Sequence, residues 1–183
     1  MTIRLGGHYY GWDKVGRNGM NGRFRGSYEA TCDDRGRVKI PARYLSVLEE
    51  ADVREFFVSS LNGESVLIYP LPVWNVMEAQ LEEAGLLDPD VDGYVSRLSY
   101  WGTESELDGK GRLLLSLRLR QSASLDGKLR LFGKGSYMEL WQESRFEQQA
   151  LGEAFTREQM HRVSRIIYGQ GTESRSGSGS SGR

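Results

Sequence analysis

The sequence predicts an α+β protein in which two similar βαββ-like units of one chain pair into a single pseudo-symmetric β-barrel with flanking helices. Three observations predict this fold. A pentapeptide occurs twice, as DDRGR at residues 33–37 and as DGKGR at residues 108–112. Further matches follow in the same order along about 45 residues of each copy. Apolar residues at helical spacing fill the rest of the chain.

An ordered series of matches indicates a duplicated structural unit, whereas a single recurring pentapeptide would be a coincidence. The offset between the copies is 75 residues around the pentapeptide and becomes 72 further on, as if three residues had been deleted. The matching pairs are Glu29 and Glu104, Asp33 and Asp108, Arg35 and Lys110, Gly36 and Gly111, Arg37 and Arg112, Ile40 and Leu115, Arg43 and Arg118, Gly63 and Gly135, Ile68 and Leu140, Tyr69 and Trp141, and Trp74 and Phe146.

The first unit begins with a strand, a tight turn and a second strand. Asp33 is predicted to organise the turn by accepting backbone hydrogen bonds, and Gly36 supplies its positive φ. Val38 and Ile40 alternate with charged residues, which is typical of a half-buried strand. Asp108 and Gly111 are predicted to organise the turn of the second unit in the same way.

The rest of each unit is predicted to be a short helix and a hairpin. Pro41 suits the first turn of a helix over residues 42–50. Two strands follow, over residues 56–59 and 66–69, with a turn at Asn62-Gly63. The second unit repeats this order in GRLLLS, LRLRQSA and LRLFGKGSYMELW. A unit of this size has too little core to fold alone, which predicts the paired barrel.

Four further segments have helical patterns, over residues 72–85, 88–101, 144–155 and 156–169. Thr156 and Gln159 have the spacing of a capping box. Met160, Val163 and Ile167 form an apolar stripe, which predicts packing within the chain or against a neighbouring copy. The predicted organisation is a flexible extension (1–23), a first domain (27–74), linker helices (75–102), a second domain (103–146), C-terminal helices (147–170) and a disordered Gly/Ser-rich tail (171–183).

Positive charge gathers around both copies of the pentapeptide although the net charge is −1. Residues 1–43 hold nine Lys and Arg against four Asp and Glu, and residues 110–130 hold six against one. Residues 44–109 between them hold two against fourteen. A phosphate backbone responds to a local basic face more than to the charge of the whole chain. The distribution is therefore compatible with nucleic-acid binding, although charge islands also arise by chance on solvated surfaces.

The composition argues against several other classes of protein. No apolar run is long enough for a transmembrane helix, and no secretory signal peptide is apparent. Cys32 is the only cysteine, which excludes an intramolecular disulfide framework, and a cytoplasmic location is expected. His8 and His161 are the only histidines, so the sequence offers no zinc-type ligand cluster. No metal or cofactor is expected.

Several stretches of the sequence resemble the MraZ family of bacterial transcriptional regulators. They are FRGSYEATCDDRGRVKIPARY, IYPLPVW, LDGKGRLLL and MELWQESRFEQQ, and the resemblance covers residues 24–150. The chain departs from the family pattern in the 23 residues before Phe24 and in Ser116-Leu117-Arg118, where the family usually has a Pro.

The resemblance implies two swapped-hairpin SpoVT–AbrB domains in one chain. It also implies sequence-specific binding of double-stranded DNA upstream of a cell-division and cell-wall gene cluster, usually as a repressor of that operon. Ring-like homo-oligomers and nucleoid association in the cytoplasm are implied as well. By the family's pattern, Arg25 of the Phe-Arg-Gly lies close to DNA.

Residue chemistry suggests how the pentapeptides would meet DNA. Arg37 and Arg112 carry planar forks that suit phosphate or a guanine edge. Arg35 and Lys110 lie two residues earlier and suit phosphate contacts. The first copy is the favoured DNA-binding copy, because Arg25, Arg35, Lys39 and Arg43 accompany Arg37. We expect the two turns to face different parts of the protein's surroundings.

Two other classes of function stay open. An interaction protein could use the acidic middle segment to sequester an enzyme encoded in the same gene cluster. An enzyme could use Asp33 with Arg37, or Glu104 with Asp108, as an acid–base pair. The two GKG sequences, however, lack the spacing of a phosphate-binding Walker loop. We therefore expect a DNA-binding protein that is not an enzyme.

Overall fold

The fold repeats one order of elements twice, as strand, strand, helix, strand, strand and two helices. The structure is a computed structural model that describes residues 22–85, 87–152 and 154–168. Within this part the strands are β1 (Ser27–Ala30), β2 (Arg37–Lys39), β3 (Glu55–Ser59), β4 (Val66–Pro70), β5 (Thr103–Glu106), β6 (Arg112–Leu114), β7 (Leu129–Gly133) and β8 (Met138–Gln142). The helices are α1 (Ala42–Glu50), α2 (Leu71–Ala84), α3 (Pro89–Trp101), α4 (Leu117–Ser122), α5 (Glu143–Ala150) and α6 (Arg157–Tyr168).

The strands form one six-stranded and one two-stranded antiparallel sheet. The larger has the order β1-β7-β8-β4-β3-β5, and the smaller pairs β2 with β6. The first strand of each unit is therefore hydrogen-bonded to the other unit, since β1 pairs with β7 and β5 with β3. The predicted α+β class is confirmed. The closed barrel and the swapped-hairpin class stay predictions.

The buried residues follow the alternation that the sequence predicts. Val38 and Ile40 are fully buried, and so are the equivalent Leu113 and Leu115 of the second unit. They point inward from the β2–β6 ribbon, which leaves the alternate side chains on its outer surface. Tyr44 of α1 packs edge-on against Phe24 and Tyr28. One core cluster contains buried residues of both units, among them Val38 and Leu113.

Side chains cap several of the helices at their first turn. Ser116 caps α4 by accepting a hydrogen bond from the Leu119 N–H at 3.3 Å, and so replaces the Pro that the family usually has there. Asp88 caps α3 in the same way. The predicted capping box is confirmed, because the Thr156 N–H donates to Gln159 at 2.7 Å and the Gln159 N–H donates to Thr156 at 3.2 Å.

One predicted helix is too long. The pattern over residues 144–155 predicted a single helix, whereas α5 ends at Ala150 and residues 151 and 152 form a bend. Gly152 is the second residue of this bend, and glycine beyond the last turn favours termination. The neighbouring prediction, a helix over residues 156–169, matches α6 to within one residue at either end.

Apart from the duplication, the chain divides into two compact parts, with the boundary after Phe146. The first contains all eight strands described above, and the second contains α6, whose Met160, Val163 and Ile167 are exposed. The predicted division into six segments stays a prediction, and nearly all of its flexible extension and all of its Gly/Ser-rich tail lie outside the described residues. Over the described ranges, no helix combines the length and apolar character that crossing a membrane requires.

Candidate nucleic-acid interface

The first pentapeptide forms a closed turn between β1 and β2, here called the first loop (residues 33–37). The Asp33 carboxylate accepts hydrogen bonds from the backbone N–H groups of Arg35 at 3.1 Å and Arg37 at 2.9 Å. The Gly36 N–H donates to the Asp33 carbonyl at 2.8 Å, and Gly36 has a φ of 81°. This geometry leaves the side chains of Asp34 and Arg35 exposed at the tip.

The second pentapeptide has the same geometry and is called the second loop (residues 108–112). The Asp108 carboxylate accepts from the N–H groups of Lys110 at 2.9 Å and Arg112 at 3.0 Å. Gly111 has a φ of 68°, and its N–H donates to the Asp108 carbonyl at 2.9 Å. Lys110 is exposed at the tip, as Arg35 is in the first loop.

Each loop also holds its final arginine in an ion pair. Arg37 binds the Asp33 carboxylate through Nε at 2.8 Å and Nη2 at 2.7 Å, and Arg112 binds Asp108 at the same two distances. The side-chain hydrogen bond from Arg112 lowers the pKa of Asp108 to about 2. The bond from Arg37 likewise lowers the pKa of Asp33, and Asp33 raises the pKa of Arg37. Both arginines are therefore oriented before any ligand arrives, and each keeps further N–H donors.

The two loops lie side by side. β2 and β6 pair with Val38 opposite Leu113, and the Arg112 Nη1 lies 3.6 Å from the Asp33 carboxylate. The Gly36 carbonyl accepts from the Leu115 N–H at 2.9 Å, and in the second loop the equivalent bond, from Ile40 to Gly111, is 3.0 Å long. The expectation that the loops face different surroundings is therefore wrong, because pairing of the equivalent strands β2 and β6 brings both loops to one surface.

The outer surface of the β2–β6 ribbon gathers five of the six predicted cations. Arg37, Lys39 and Arg112 lie on it, and Arg35 and Lys110 lie at the adjoining loop tips. Lys39 follows the first loop in sequence, yet its Nζ donates a hydrogen bond to the Lys110 carbonyl in the second loop. Lys39 therefore extends the charge of the second loop rather than of the first.

The structure does not bring Arg25 to this ribbon. Arg25 precedes β1, whereas the first loop follows β1, so the two lie at opposite ends of a strand of about 13 Å. Its backbone instead lies against Gly133 at the end of β7. Arg25 is exposed there and is available to a ligand only as a separate contact.

A cavity of about 460 Å³ lies between the second loop and the C-terminal half of α1. Lys39, Arg54 and Lys110 line it together with Glu49 and Asp52, above an apolar floor that includes Leu45 and Leu48. The sequence did not single out Arg54, because the segment around it is acidic overall. Arg120 was missed as well, although it lies in the basic stretch of residues 110–130 that the charge pattern identified.

The chemistry of the site suits binding better than proton transfer. The carboxylates of Asp33 and Asp108 are held in ion pairs that lower their pKa values, which makes them weak proton acceptors. Among the residues that the structure describes, no cluster of three or more His, Cys, Asp or Glu is placed to hold a metal ion.

Comparison with known proteins gives consistent matches. Residues 102–164 match the family model described as "MraZ protein, putative antitoxin-like". A "Transcriptional regulator MraZ" from Acidobacterium capsulatum is 34% identical over 125 residues, which are 68% of this chain and 86% of that protein. The protein of the same name from Tolumonas auensis is 37% identical over 68% of this chain and 83% of its own length. That from Methylococcus capsulatus is 36% identical over 66% and 79%.

Proposed function

The chain belongs to the MraZ family, and on that premise we propose that it is a transcriptional regulator that binds specific double-stranded DNA through the first and second loops. One observation carries the proposal: two ion-paired loops from the two units place five cations on one two-stranded ribbon. The major groove of B-DNA admits a two-stranded ribbon. The ribbon is therefore the surface that docks.

The roles of the side chains follow from their geometry. Arg37 and Arg112 are already oriented by Asp33 and Asp108, which suits them to base edges such as that of guanine. Arg35 and Lys110 at the exposed tips supply phosphate contacts, and Lys39 adds charge beside the second loop. Arg25 contacts a phosphate at a distance from the ribbon. Gly36 and Gly111, with the two aspartates, hold the loop shapes.

The biological setting is proposed by extension from the family. The two units are swapped-hairpin SpoVT–AbrB domains closed into one barrel, with the predicted boundaries at residues 27–74 and 103–146. The protein acts in the cytoplasm, associated with the nucleoid, as a repressor of its own cell-division and cell-wall gene cluster. It is not an enzyme.

The working form is a homo-oligomer, such as a ring. Exposed apolar side chains on α6, among them Met160, Ile166 and Ile167, support an association between copies. A ring repeats the same ribbon at regular intervals, and linked weak contacts gain affinity through effective concentration. The target is then a set of short repeats about one helical turn apart, or about 10 bp.

The experiment is a binding titration with two duplexes, the DNA upstream of the protein's own gene and a scrambled duplex of equal length and composition. We expect tight binding to the first only, and Arg37→Ala should abolish that preference without unfolding the protein. Arg97→Ala is the control, because Arg97 is exposed on α3 and donates to the Gly93 carbonyl of its own helix. Equal affinity of the wild-type protein for both duplexes would contradict the proposal.

A second function is favoured by a different surface. α2 and α3, with the connection between them, expose an acidic group of side chains: Glu78, Glu82, Glu83, Asp88, Asp90 and Asp92. Such a surface fits a basic protein partner, such as an enzyme encoded in the same gene cluster. Charge reversal of these residues should then weaken binding of the partner without changing the affinity for DNA.

A further inference from the structure

Arg120 of α4 lies directly against the first loop. A Cβ atom added to Gly36 would be 2.5 Å from Arg120 Nε and 2.6 Å from its Cζ, so the guanidinium covers the Gly36 Cα. The neighbouring Leu115 N–H binds the Gly36 carbonyl. Gly36 is buried as a result, and the segment that buries it belongs to the other unit.

The second loop has a different cover at the equivalent place. With the offset of 75 residues, Arg120 corresponds to Leu45 of α1. Leu45 indeed covers Gly111, where an added Cβ would be 2.7 Å from its Cδ1. Each loop glycine is thus covered by a side chain at the equivalent position of the other unit. Over Gly36 this is the planar guanidinium of Arg120, whereas over Gly111 it is the apolar Leu45, with the Lys39 Nζ further out at 3.2 Å from an added Cβ. Gly111 is only partly buried, and the cavity described above opens beside it.

The guanidinium of Arg120 is partly removed from water. Its Nε is buried and has no hydrogen-bond partner in the part of the chain that the structure describes. Leaving a buried N–H of a cation without a hydrogen-bond partner is unfavourable, so this side chain is held in place by its packing against the first loop. The positive charge of Arg120 also opposes the effect of burial, which raises the pKa of Cys32 just before the loop.

From this contact we propose that Arg120 is a positioning residue: it fixes the shape of the first loop from beneath and makes it the better-ordered of the two DNA-binding loops. The inference rests on the proposed function and deepens it. A loop already in its bound shape loses less conformational freedom on binding. The second loop has Leu45, the unbranched side chain of Lys39 and an open cavity around it, and keeps more freedom.

The test uses three full-length variants. Arg120→Leu gives the first loop the cover that the second has, and Leu45→Arg gives the second the cover that the first has, with the cavity as room for the longer side chain. Arg120→Lys keeps the charge but loses the planar group that lies on Gly36. Amide hydrogen exchange of residues 33–37 and 108–112 is measured without DNA, and affinity for the upstream duplex is measured at several salt concentrations.

We expect Arg120→Leu to speed exchange in the first loop only and to weaken specific binding about tenfold. The slope of log affinity against log salt should stay unchanged, because Arg120 touches no phosphate. Arg120→Lys should regain neither the slow exchange of the first loop nor the wild-type affinity. Leu45→Arg should slow exchange in the second loop.

Two results would overturn the inference. One is wild-type exchange and affinity in Arg120→Leu. The other is a salt slope lower by about one, which would make Arg120 a phosphate contact instead. If Arg120→Leu does not fold, the inference is decided by comparing Leu45→Arg with the wild type. Unchanged amide exchange of the second loop in Leu45→Arg then counts against the inference. If the wild-type protein fails to bind the upstream duplex, the proposed function fails while the exchange comparison still decides the role of Arg120.

Discussion

The guanidinium of Arg112 lies 3.6 Å from the carboxylate of Asp33, although the two residues belong to different copies of the same motif. Asp33 thereby faces two arginines, its own partner Arg37 and Arg112 of the second loop. Among the residues that the structure describes, Asp108 pairs with Arg112 alone. The two copies are therefore alike in backbone geometry but unequal in their ion pairs.

This inequality predicts different effects of two matched substitutions. Asp33→Asn keeps an oxygen that can accept from the Arg35 and Arg37 N–H groups, but it removes the charge that faces both arginines. Asp108→Asn removes only one pair. Asp33→Asn should therefore lower the melting temperature more, as measured by circular dichroism. In an Arg112→Gln background the difference should disappear, and its persistence would show that the contact between the loops contributes nothing.

The salt dependence of DNA binding should separate phosphate contacts from other roles. Arg35 and Lys110 are exposed at the loop tips, so Arg35→Ala and Lys110→Ala should each lower the slope of log affinity against log salt by about one. Arg97→Ala on α3 serves as the control and should leave the slope unchanged. Slopes that match the wild type in both loop variants would remove these side chains from the interface.

The sequence predicted those features that short-range signals determine. The turn at Asp33 and Gly36, the alternation of Val38 and Ile40, and helix α1 depend on residues within a few positions of one another, and the structure has all three. The break at the end of α5 was missed because an apolar pattern continued past Gly152.

The arrangement of the site depended on contacts that cross between the units. Nothing local in β1 says that its partner is β7, since a strand pattern fixes which side chains face inward but not which strand lies alongside. For the same reason the sequence could not place Lys39 beside the second loop or Arg120 on the first. The duplication itself held a usable signal, because pairing of equivalent strands brings equivalent loops together.

The loop carboxylates should titrate at unusually low pH. The pKa of Asp108 is about 2, below about 3.9 for an unfolded chain, chiefly because of the Arg112 side chain. A lowered pKa stabilises the fold above pH 4, and this stabilisation is lost as the pH falls from about 4 to about 2. Carbon-detected NMR of the carboxyl group should show the low midpoint, and Arg112→Gln should raise it. A wild-type midpoint near 4 would contradict the ion pair in solution.

The raised pKa of Tyr44 predicts that the protein also loses stability at alkaline pH. The buried hydroxyl of Tyr44 donates to the Gly26 carbonyl at 2.8 Å, and burial raises its pKa to about 12. The raised pKa stabilises the fold below pH 10, and this contribution is lost between about pH 10 and 12. Tyr44→Phe should cost about 1 kcal/mol at pH 8 and weaken the alkaline decline, as measured by urea unfolding. Tyr100→Phe, at an exposed site, should change the free energy of unfolding by less than about 0.5 kcal/mol.

Alanine substitutions at two glycines test the contact between Arg120 and the first loop through their effects on the free energy of unfolding. Gly26 and Gly36 have nearly equal φ values of 80° and 81°, so an alanine at either position adopts the same unfavourable backbone region, at about 1 kcal/mol. A Cβ at Gly26 would meet no atom within 4 Å, whereas a Cβ at Gly36 would be 2.5 Å from Arg120 Nε. Gly36→Ala must therefore also displace a packed guanidinium, and should cost about 1–3 kcal/mol more than Gly26→Ala. Urea unfolding of both variants measures the difference, and in an Arg120→Ala background the excess should vanish because the obstructing side chain is gone. If the two alanines cost the same in the wild-type background, the guanidinium does not rest on the first loop in solution.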